Sequence, residues 1–377
     1  MRVLFVISDL AFHGAQKQVV ELARELDRAG HGVAIYTLNA EVGRARELVG
    51  TGVEVIADQK RAKLDLAVLR RLRRKVREWR PDVVHGFLYD GDIYARLAGA
   101  GQGAVVLNSE RSDNYTLTGA QKLMHRLTRH WVHGVVANSR SGSAFAQRLY
   151  GYAPGQMHVV WNGLRIEELE RRARTGADHR REFFGAAPVK IACMVGHIKP
   201  AKDYALALDT AAALLARAPD WRVLFVGDSL ASTGYRGGVD SETEEYKRDI
   251  MAHYRRLGLE GRVVFTGART DACSILAQSD VQFMTSCREG FPNVVLEGMV
   301  LGVPVVSTDY SDIRHILPRP EQVVPTRDPR MLAAAILDAW IDREAIVAEQ
   351  QRWVRAHASI ETATRQLERV YAAYLRA

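Results

Sequence analysis

Short apolar runs alternate along the chain with stretches whose apolar residues recur every three or four positions. Val3–Ile7 is an unbroken apolar run, as a strand buried on both faces requires. Gly32–Thr37, Val53–Ile56, Val83–Val84, Val105–Leu107 and Val135–Ala137 repeat the signal, with helical segments between most of them. Val19, Leu22, Ala23 and Leu26 mark one face of the first such helix, which stops near Gly30. This alternation predicts a parallel sheet with helices on both faces. After the turn signal Asn162-Gly163 and a charged helical stretch, Glu167–Phe184, the series restarts. Strands are expected at Val189–Val195, Arg222–Val226, Val263–Phe265, Val281–Thr285 and Pro304–Ser307. Helices are expected at Tyr204–Ala216, Glu244–Leu257, Asp271–Ala277 and Asn293–Val300, with a polar Gly/Ser-rich insertion at Ser229–Glu242. Ile360–Arg376 also reads as a helix, one able to pack back across either half. The pattern is that of an α/β chain with two Rossmann-like domains, 1–165 and 166–358. The terminal helix, 359–377, is assigned to return to the first. Two such halves would face each other across a cleft between the carboxyl ends of their sheets, the usual ligand position in these folds.

Length and composition narrow the picture. A chain of 377 residues suits two domains, and 47% hydrophobic with 25% charged residues excludes global disorder. The longest apolar stretch, Val294 to Val306, is interrupted by Glu297, Gly298, Gly302 and Pro304, far short of the roughly 18 residues of a membrane span. Met1-Arg2 runs directly into the first strand, so no signal peptide is expected. Cys193, Cys273 and Cys287 are too few and too scattered for a disulfide framework or a zinc site. These features together predict a soluble protein of a reducing cytoplasm. The formal charge of +8 is concentrated: Lys60–Arg80 holds ten basic and two acidic residues, the whole of the excess. Leu69, Leu72, Val76 and Trp79 recur there at helical spacing, giving a basic amphipathic helix. It reads most simply as a surface helix packed on the sheet. Its sharper reading is a surface for an anionic membrane or an anionic acceptor, which would place the protein at the inner face of the cell membrane. Nucleic acid is not an expected partner, because no recognition motif accompanies the charge.

The informative stretch for chemistry is Ser286-Cys287-Arg288-Glu289-Gly290-Phe291-Pro292-Asn293-Val294-Val295-Leu296-Glu297. Glu289 lies in a loop past a strand, and Glu297 lies about one turn into the next helix. Gly290 and Pro292 shape the turn, and Asn293 is placed to cap the helix. Free backbone N–H groups near Asn293, Val294 and Val295 would point at a phosphate, and the helix dipole would favour a diphosphate there without a metal. With this motif the whole chain resembles the retaining GT-B glycosyltransferases, most closely the large nucleotide-sugar-dependent family 4. The stretch matches that family's EX7E motif. Gly14-Ala15-Gln16, Asn162-Gly163, Gly196 followed by Lys202, Gly227-Asp228, and Gly267-x-Arg269-x-Asp271 match in the same order.

The resemblance implies a site. Glu289 would contact donor-sugar hydroxyls, with backbone N–H groups of Gly290, Phe291 and the neighbours of Pro292 on the same sugar. Glu297 would accept from the ribose hydroxyls. Gly14 would let the first loop approach the diphosphate, and Lys202 would neutralise it. The family's usual Arg after the glycine is His197 here, whose charge is less assured given an ordinary pKa of about 6.5, and Lys199 is placed to compensate. Arg269 and Val294 complete the implied donor set. His85 and Arg111 are candidates for acceptor or catalytic contact, the first with Phe87 in place of a second histidine. The family's Gly-Gly is replaced by Ser311-Asp312, whose side chains would narrow the donor pocket. Asp90-Gly91-Asp92 has the form of a metal-diphosphate motif but sits in the first domain and reads as a loop and helix start. No metal and no other cofactor is expected. The implied reaction is transfer from a UDP- or GDP-sugar to a glycan or lipid-linked acceptor hydroxyl, with retention. A small-metabolite acceptor, an epimerase or phosphorylase of the same fold, and a donor-binding protein without transferase activity are the alternatives.

Overall fold

The computed structural model describes residues 1–111, 117–174, 176–228 and 241–376. The chain divides into two compact units: Met1–Leu164 with Ala358–Ala377, and Arg165–His357.

The first unit opens with β1 (Arg2–Ile7), α1 (Gly14–Arg28), β2 (Gly32–Thr37), β3 (Glu54–Ala57), α2 (Leu66–Trp79) and β4 (Val83–Phe87). It continues with α3 (Leu88–Gly99), β5 (Val105–Glu110), α4 (Gly119–Thr128), β6 (Gly134–Ala137), α5 (Arg140–Tyr150) and β7 (Met157–Val159). Its strands form one parallel sheet in the order β3-β2-β1-β4-β5-β6-β7. Alternation along the strands sends Val3, Phe5, Ile7, Val33 and Ile35 to one face, under α1. Leu4, Val6, Ala34 and Tyr36 go to the other, under α2 and α3. Local chemistry sets the helix ends. The Asp65 carboxylate caps α2 through the N–H groups of Ala67 and Val68, and Arg80 in a left-handed conformation (φ +45°) ends it.

The second unit holds α6 (Ile166–Ala173), α7 (His179–Phe184), β8 (Lys190–Val195), α8 (Tyr204–Arg217), β9 (Trp221–Val226), α9 (Ser241–Arg256) and β10 (Val263–Phe265). There follow α10 (Ala272–Ala277), β11 (Val281–Met284), α11 (Asn293–Val300), β12 (Val305–Thr308), α12 (Ile313–Ile316), β13 (Val323–Val324), α13 (Pro329–Ile341) and α14 (Arg343–His357). Its parallel sheet has the order β10-β9-β8-β11-β12-β13. The single helix expected over Glu167–Phe184 is two. Gly176 at φ +74° breaks it, and the Asp178 carboxylate starts α7 by accepting from the Arg181 N–H. Of the expected Ser229–Glu242 insertion, residues 229–240 lie outside the described residues.

The last helix, α15 (Ile360–Leu375), packs on α1 in the first unit, burying Ile360, Ala363, Leu367 and Tyr371 in its core. Asn162-Gly163 proves to be a crossing point more than a turn. A Cβ on Gly163 would lie 2.6 Å from the Ile360 Cα and 2.9 Å from the Ser359 carbonyl oxygen. Gln18 grips the same residue from α1, donating to the Gly163 carbonyl at 2.9 Å and accepting its N–H at 3.1 Å. Among the described residues no helix is long and apolar enough to cross a membrane.

Candidate active site

In the second unit β8 ends at Val195, and Gly196 opens the loop that carries Lys202. Pro200–Lys202 forms one 3-10 turn, stopped by Asp203 at φ +46°, whose carboxylate then caps α8 through the Leu206 N–H at 3.1 Å. A Cβ on Gly196 would sit 3.0 Å from the Lys202 Cε, so the glycine leaves room for the lysine stem. The loop after the neighbouring strand β11 is stitched to this turn. The Cys287 N–H donates to the Ala201 carbonyl at 2.9 Å, and the Thr285 hydroxyl donates to the Lys202 carbonyl at 2.8 Å.

These links bring Lys202 and Glu289 together. The Lys202 Nζ forms an ion pair with the Glu289 Oε1, and the two side chains retain only 7% and 12% exposure. The Ser286 hydroxyl donates to the same carboxylate oxygen at 2.8 Å. Beside it lies buried Tyr310, its phenol pushed well above its ordinary pKa by burial and by the Glu289 charge. Ser311 holds a left-handed conformation at φ +49°, where a glycine would be at ease, and its hydroxyl donates to the Gly290 carbonyl at 2.9 Å. The side chain expected to narrow a pocket thus ties the Gly290 loop down.

The α11 start corrects two expectations. The cap position is Pro292, with no side-chain cap, so Asn293 is the first helical residue and not the cap. Of three expected free amides, Asn293 N–H donates to the Phe291 carbonyl and Val295 N–H to the Pro292 carbonyl, both at 3.0 Å. Phe291 and Pro292 are buried, while Val294 and Glu297 are half-buried. Gln282 of β11 steadies this helix by donating to the Val294 carbonyl at 3.0 Å.

The other donor candidates sit differently. His197 is exposed, and its Nδ1 donates to the Asp228 carbonyl at 3.2 Å; Lys199 is half-buried just ahead of the 3-10 turn. Arg269 is engaged by two carboxylates, Asp271 (2.8 Å) and Glu182 of α7 (2.8 Å), over the Phe183 ring. Both carboxylates raise its pKa, and its guanidinium is committed to joining α7 to the loop before α10.

Gly14, His85 and Arg111 belong to the first unit. Gly14 is exposed as the first residue of α1. His85 is a correction: it is fully buried, with Nδ1 2.7 Å from the Tyr371 hydroxyl and Nε2 2.8 Å from the Ser109 hydroxyl. Burial and the Arg111 charge lower its pKa well below the ordinary value, so it is neutral, with both ring nitrogens engaged by hydroxyls. Arg111 lies half-buried over the Phe87 ring and donates to Asn162 at 2.9 Å. Burial brings its pKa down to about 10, and its Nε has no partner among the described residues. Asp90 and Asp92 form no shared metal cradle. Asp90 pairs with Lys60, whereas Asp92 is buried beside the Ser109 N–H. The glycine between them packs against the Val6 carbonyl of β1, so the triplet serves close packing of α3.

Sequence reasoning missed Ser286, Tyr310 and Asp203, the last of which pairs with Arg327. Only Ser286 carried a signal, by adjacency to the motif.

Comparisons agree with this architecture. Residues 12–168 match the family model described as Glycosyltransferase Family 4, and residues 189–342 match that described as Glycosyl transferases group 1. The lipopolysaccharide core biosynthesis mannosyltransferase LpsB of Rhizobium meliloti is 27% identical over 152 residues, 40% of this chain but only 38% of that relative. The phosphatidyl-myo-inositol mannosyltransferase of Mycobacterium tuberculosis is 25% identical over 95% of this chain and 92% of its own length. The crystal structure of HepE from Anabaena in complex with UDP superimposes with a TM-score of 0.82 at 18% identity, covering 99% of this chain and 100% of that one.

Proposed function

Because the chain belongs to the GT-B glycosyltransferases of family 4 type, we propose that it moves a sugar from a nucleoside-diphosphate sugar to an acceptor hydroxyl with retention at the anomeric carbon. The observation that carries this reading is the Lys202–Glu289 pair, held by two loops at the carboxyl ends of adjacent strands β8 and β11. That edge of an open parallel sheet is where ligands bind.

In this reading Lys202 leaves Glu289 to meet the donor diphosphate, and Glu289 turns to the sugar hydroxyls. Glu297 takes the ribose hydroxyls, and the α11 dipole and the Val294 amide add positive potential. The bond from the acceptor oxygen to the anomeric carbon forms as the bond to the diphosphate breaks. The acceptor proton passes to the departing diphosphate oxygen. Lys202 stabilises the charge that grows there, and no carboxylate is placed as a nucleophile. The UDP complex of HepE supports a uridine nucleotide as the first donor to test. The names of the two mannosyltransferases support a glycan or lipid-linked acceptor in surface polysaccharide or glycolipid synthesis.

The test is a thermal-shift screen with UDP-, GDP- and ADP-sugars, followed by a donor-turnover assay on the hit. A stabilising nucleotide sugar is expected, with turnover falling at least a hundredfold in Glu289→Ala, on the scale of losing one well-placed transition-state contact. Near-normal turnover in that variant would sink the assignment.

A further inference from the structure

The helices on one face of the first sheet carry a row of large apolar side chains turned away from that sheet. α4 turns inward with buried His125 and Thr128; Arg96 of α3 donates to the His125 carbonyl at 3.1 Å and to the Thr128 hydroxyl at 2.8 Å. Its other side exposes Leu123 (55%) and Leu127 (60%), and the 3-10 turn Arg129–Trp131 exposes Trp131 (38%). Leu123 and Leu127, four apart, line up along α4, and Trp131 follows on the 3-10 turn just beyond its end. Single exposed apolar residues are ordinary, whereas an aligned row marks a contact surface. Lys122, Arg126, Arg129 and His130 border the stripe, and residues 119–133 contain no Asp or Glu. Arg126 spends its Nε on the Leu149 carbonyl and Arg129 one guanidinium nitrogen on the Gly151 carbonyl, both at 2.9 Å, which leaves their other N–H groups to face outward.

α2 lies on the other side of α3 in the same layer, and its role differs from the one its sequence suggested. Its apolar stripe Val68, Leu72 and Val76 is spent on the core, so beyond Leu66 at its start α2 offers mainly charge. Some of that charge is already engaged: Arg71 is bidentate on Asp58 (2.9 and 2.7 Å), Arg73 donates to the Leu97 carbonyl at 3.1 Å, and Lys75 pairs with Glu54. Arg70, Arg74 and Arg77 remain exposed along one helical line, with no carboxylate partner among the described residues. Leu64 and Leu66 are exposed just ahead of them.

We propose that this layer of the first unit docks on an anionic lipid bilayer. Leu123, Leu127 and Trp131 enter the boundary between headgroups and acyl chains. Lys122, Arg126 and Arg129, with the three free arginines of α2, meet lipid phosphates. A tryptophan at that depth matches its apolar body and polar N–H to the interface. Lysine and arginine stems lie along the apolar surface while their charges reach the headgroups. Charge also chooses among occupants, because two copies of so cationic a face repel each other while an anionic surface attracts it. The proposal stands apart from the transferase reading, since no residue of the donor site takes part.

The full chain is sedimented with vesicles of phosphatidylcholine alone and with added phosphatidylglycerol. Binding to the anionic vesicles only is expected, with a partition constant at least tenfold lower for Leu123→Ser/Leu127→Ser/Trp131→Ser and an unchanged melting temperature. Arg70→Glu/Arg74→Glu/Arg77→Glu should weaken binding and flatten its salt dependence. A parent protein that stays in the supernatant would overturn the proposal. So would a triple serine variant that sediments like the parent, or a parent dimer in light scattering that the serine variant dissolves. Salt dependence unaltered in the glutamate variant would overturn the part given to α2.

Discussion

Removing Lys202 probes the site through stability as well as binding. Lys202→Met leaves Glu289 with 12% exposure and without its lysine counter-charge. Breaking a buried ion pair from one side costs about 3–5 kcal/mol, because the remaining charge stays desolvated. Here Ser286 continues to donate to Glu289 at 2.8 Å, so the carboxylate left behind keeps one of its two partners. The expected loss is therefore at the lower end, about 3 kcal/mol. For a unit of this size that corresponds to a fall in Tm of roughly 6–12 °C. The assay is calorimetry on the parent, Lys202→Met, Glu289→Gln and the double variant. Taking both charges out together should cost less than the sum of the singles, by about 1–3 kcal/mol of coupling. Single effects that add to within about 0.5 kcal/mol would refute the coupled pair. Nucleotide titration of Lys202→Met then separates the second role, since weaker diphosphate binding is expected whatever the stability.

Three further outcomes follow from buried groups. Burial pushes the Asp92 carboxyl up to about 7, against the pull of Arg96, so the native state keeps a proton that the unfolded chain releases near pH 4. Stability from this group therefore falls as pH rises from about 4 to 7, by up to about 1.4 kcal/mol per pH unit. Asp92→Asn should gain on the parent in Tm across that window, and a difference flat with pH would count against the reading. His85→Phe strips hydrogen-bond partners from Ser109 and Tyr371, for an expected loss of about 2–4 kcal/mol at pH 8. Since native His85 is neutral and the unfolded histidine charges below about pH 6.5, the parent loses stability as pH falls through that value. The gap to the variant should narrow there, and a constant gap in denaturant titrations would contradict it. Gly163→Ala places a methyl against Ile360 and should cost about 1–3 kcal/mol, with earlier proteolysis of α15; an unchanged digestion pattern would argue against the crossing.

The strands were legible because buried parallel strands are written as runs such as Val3–Ile7, and the family resemblance was legible because the EX7E stretch is a run of consecutive residues. The single helix expected over Glu167–Phe184 failed where one glycine and one capping carboxylate outweighed a continuous polar pattern. β13 is two residues long and gave no periodicity to read. The role of His85 depended on Tyr371, 286 residues away, and the engagement of Arg269 depended on Glu182, 87 residues away. Local spacing carries nothing about such partners. The occupied amides at Asn293 and Val295 follow from the turn ahead of α11, whose residues name a turn without fixing where each N–H points.

The return of α15 to the first unit has a bearing on biosynthesis. Tyr371 and Leu367 reach the ribosome exit after all of Arg165–His357 has been made. The amino-terminal sheet therefore emerges with the apolar side under α1 lacking part of its cover and with His85 lacking its phenol. The inner unit, continuous in the chain, is free to condense first. Nascent chains stalled before Ile360 should engage chaperones through that uncovered side, and release of the last twenty residues should end the engagement.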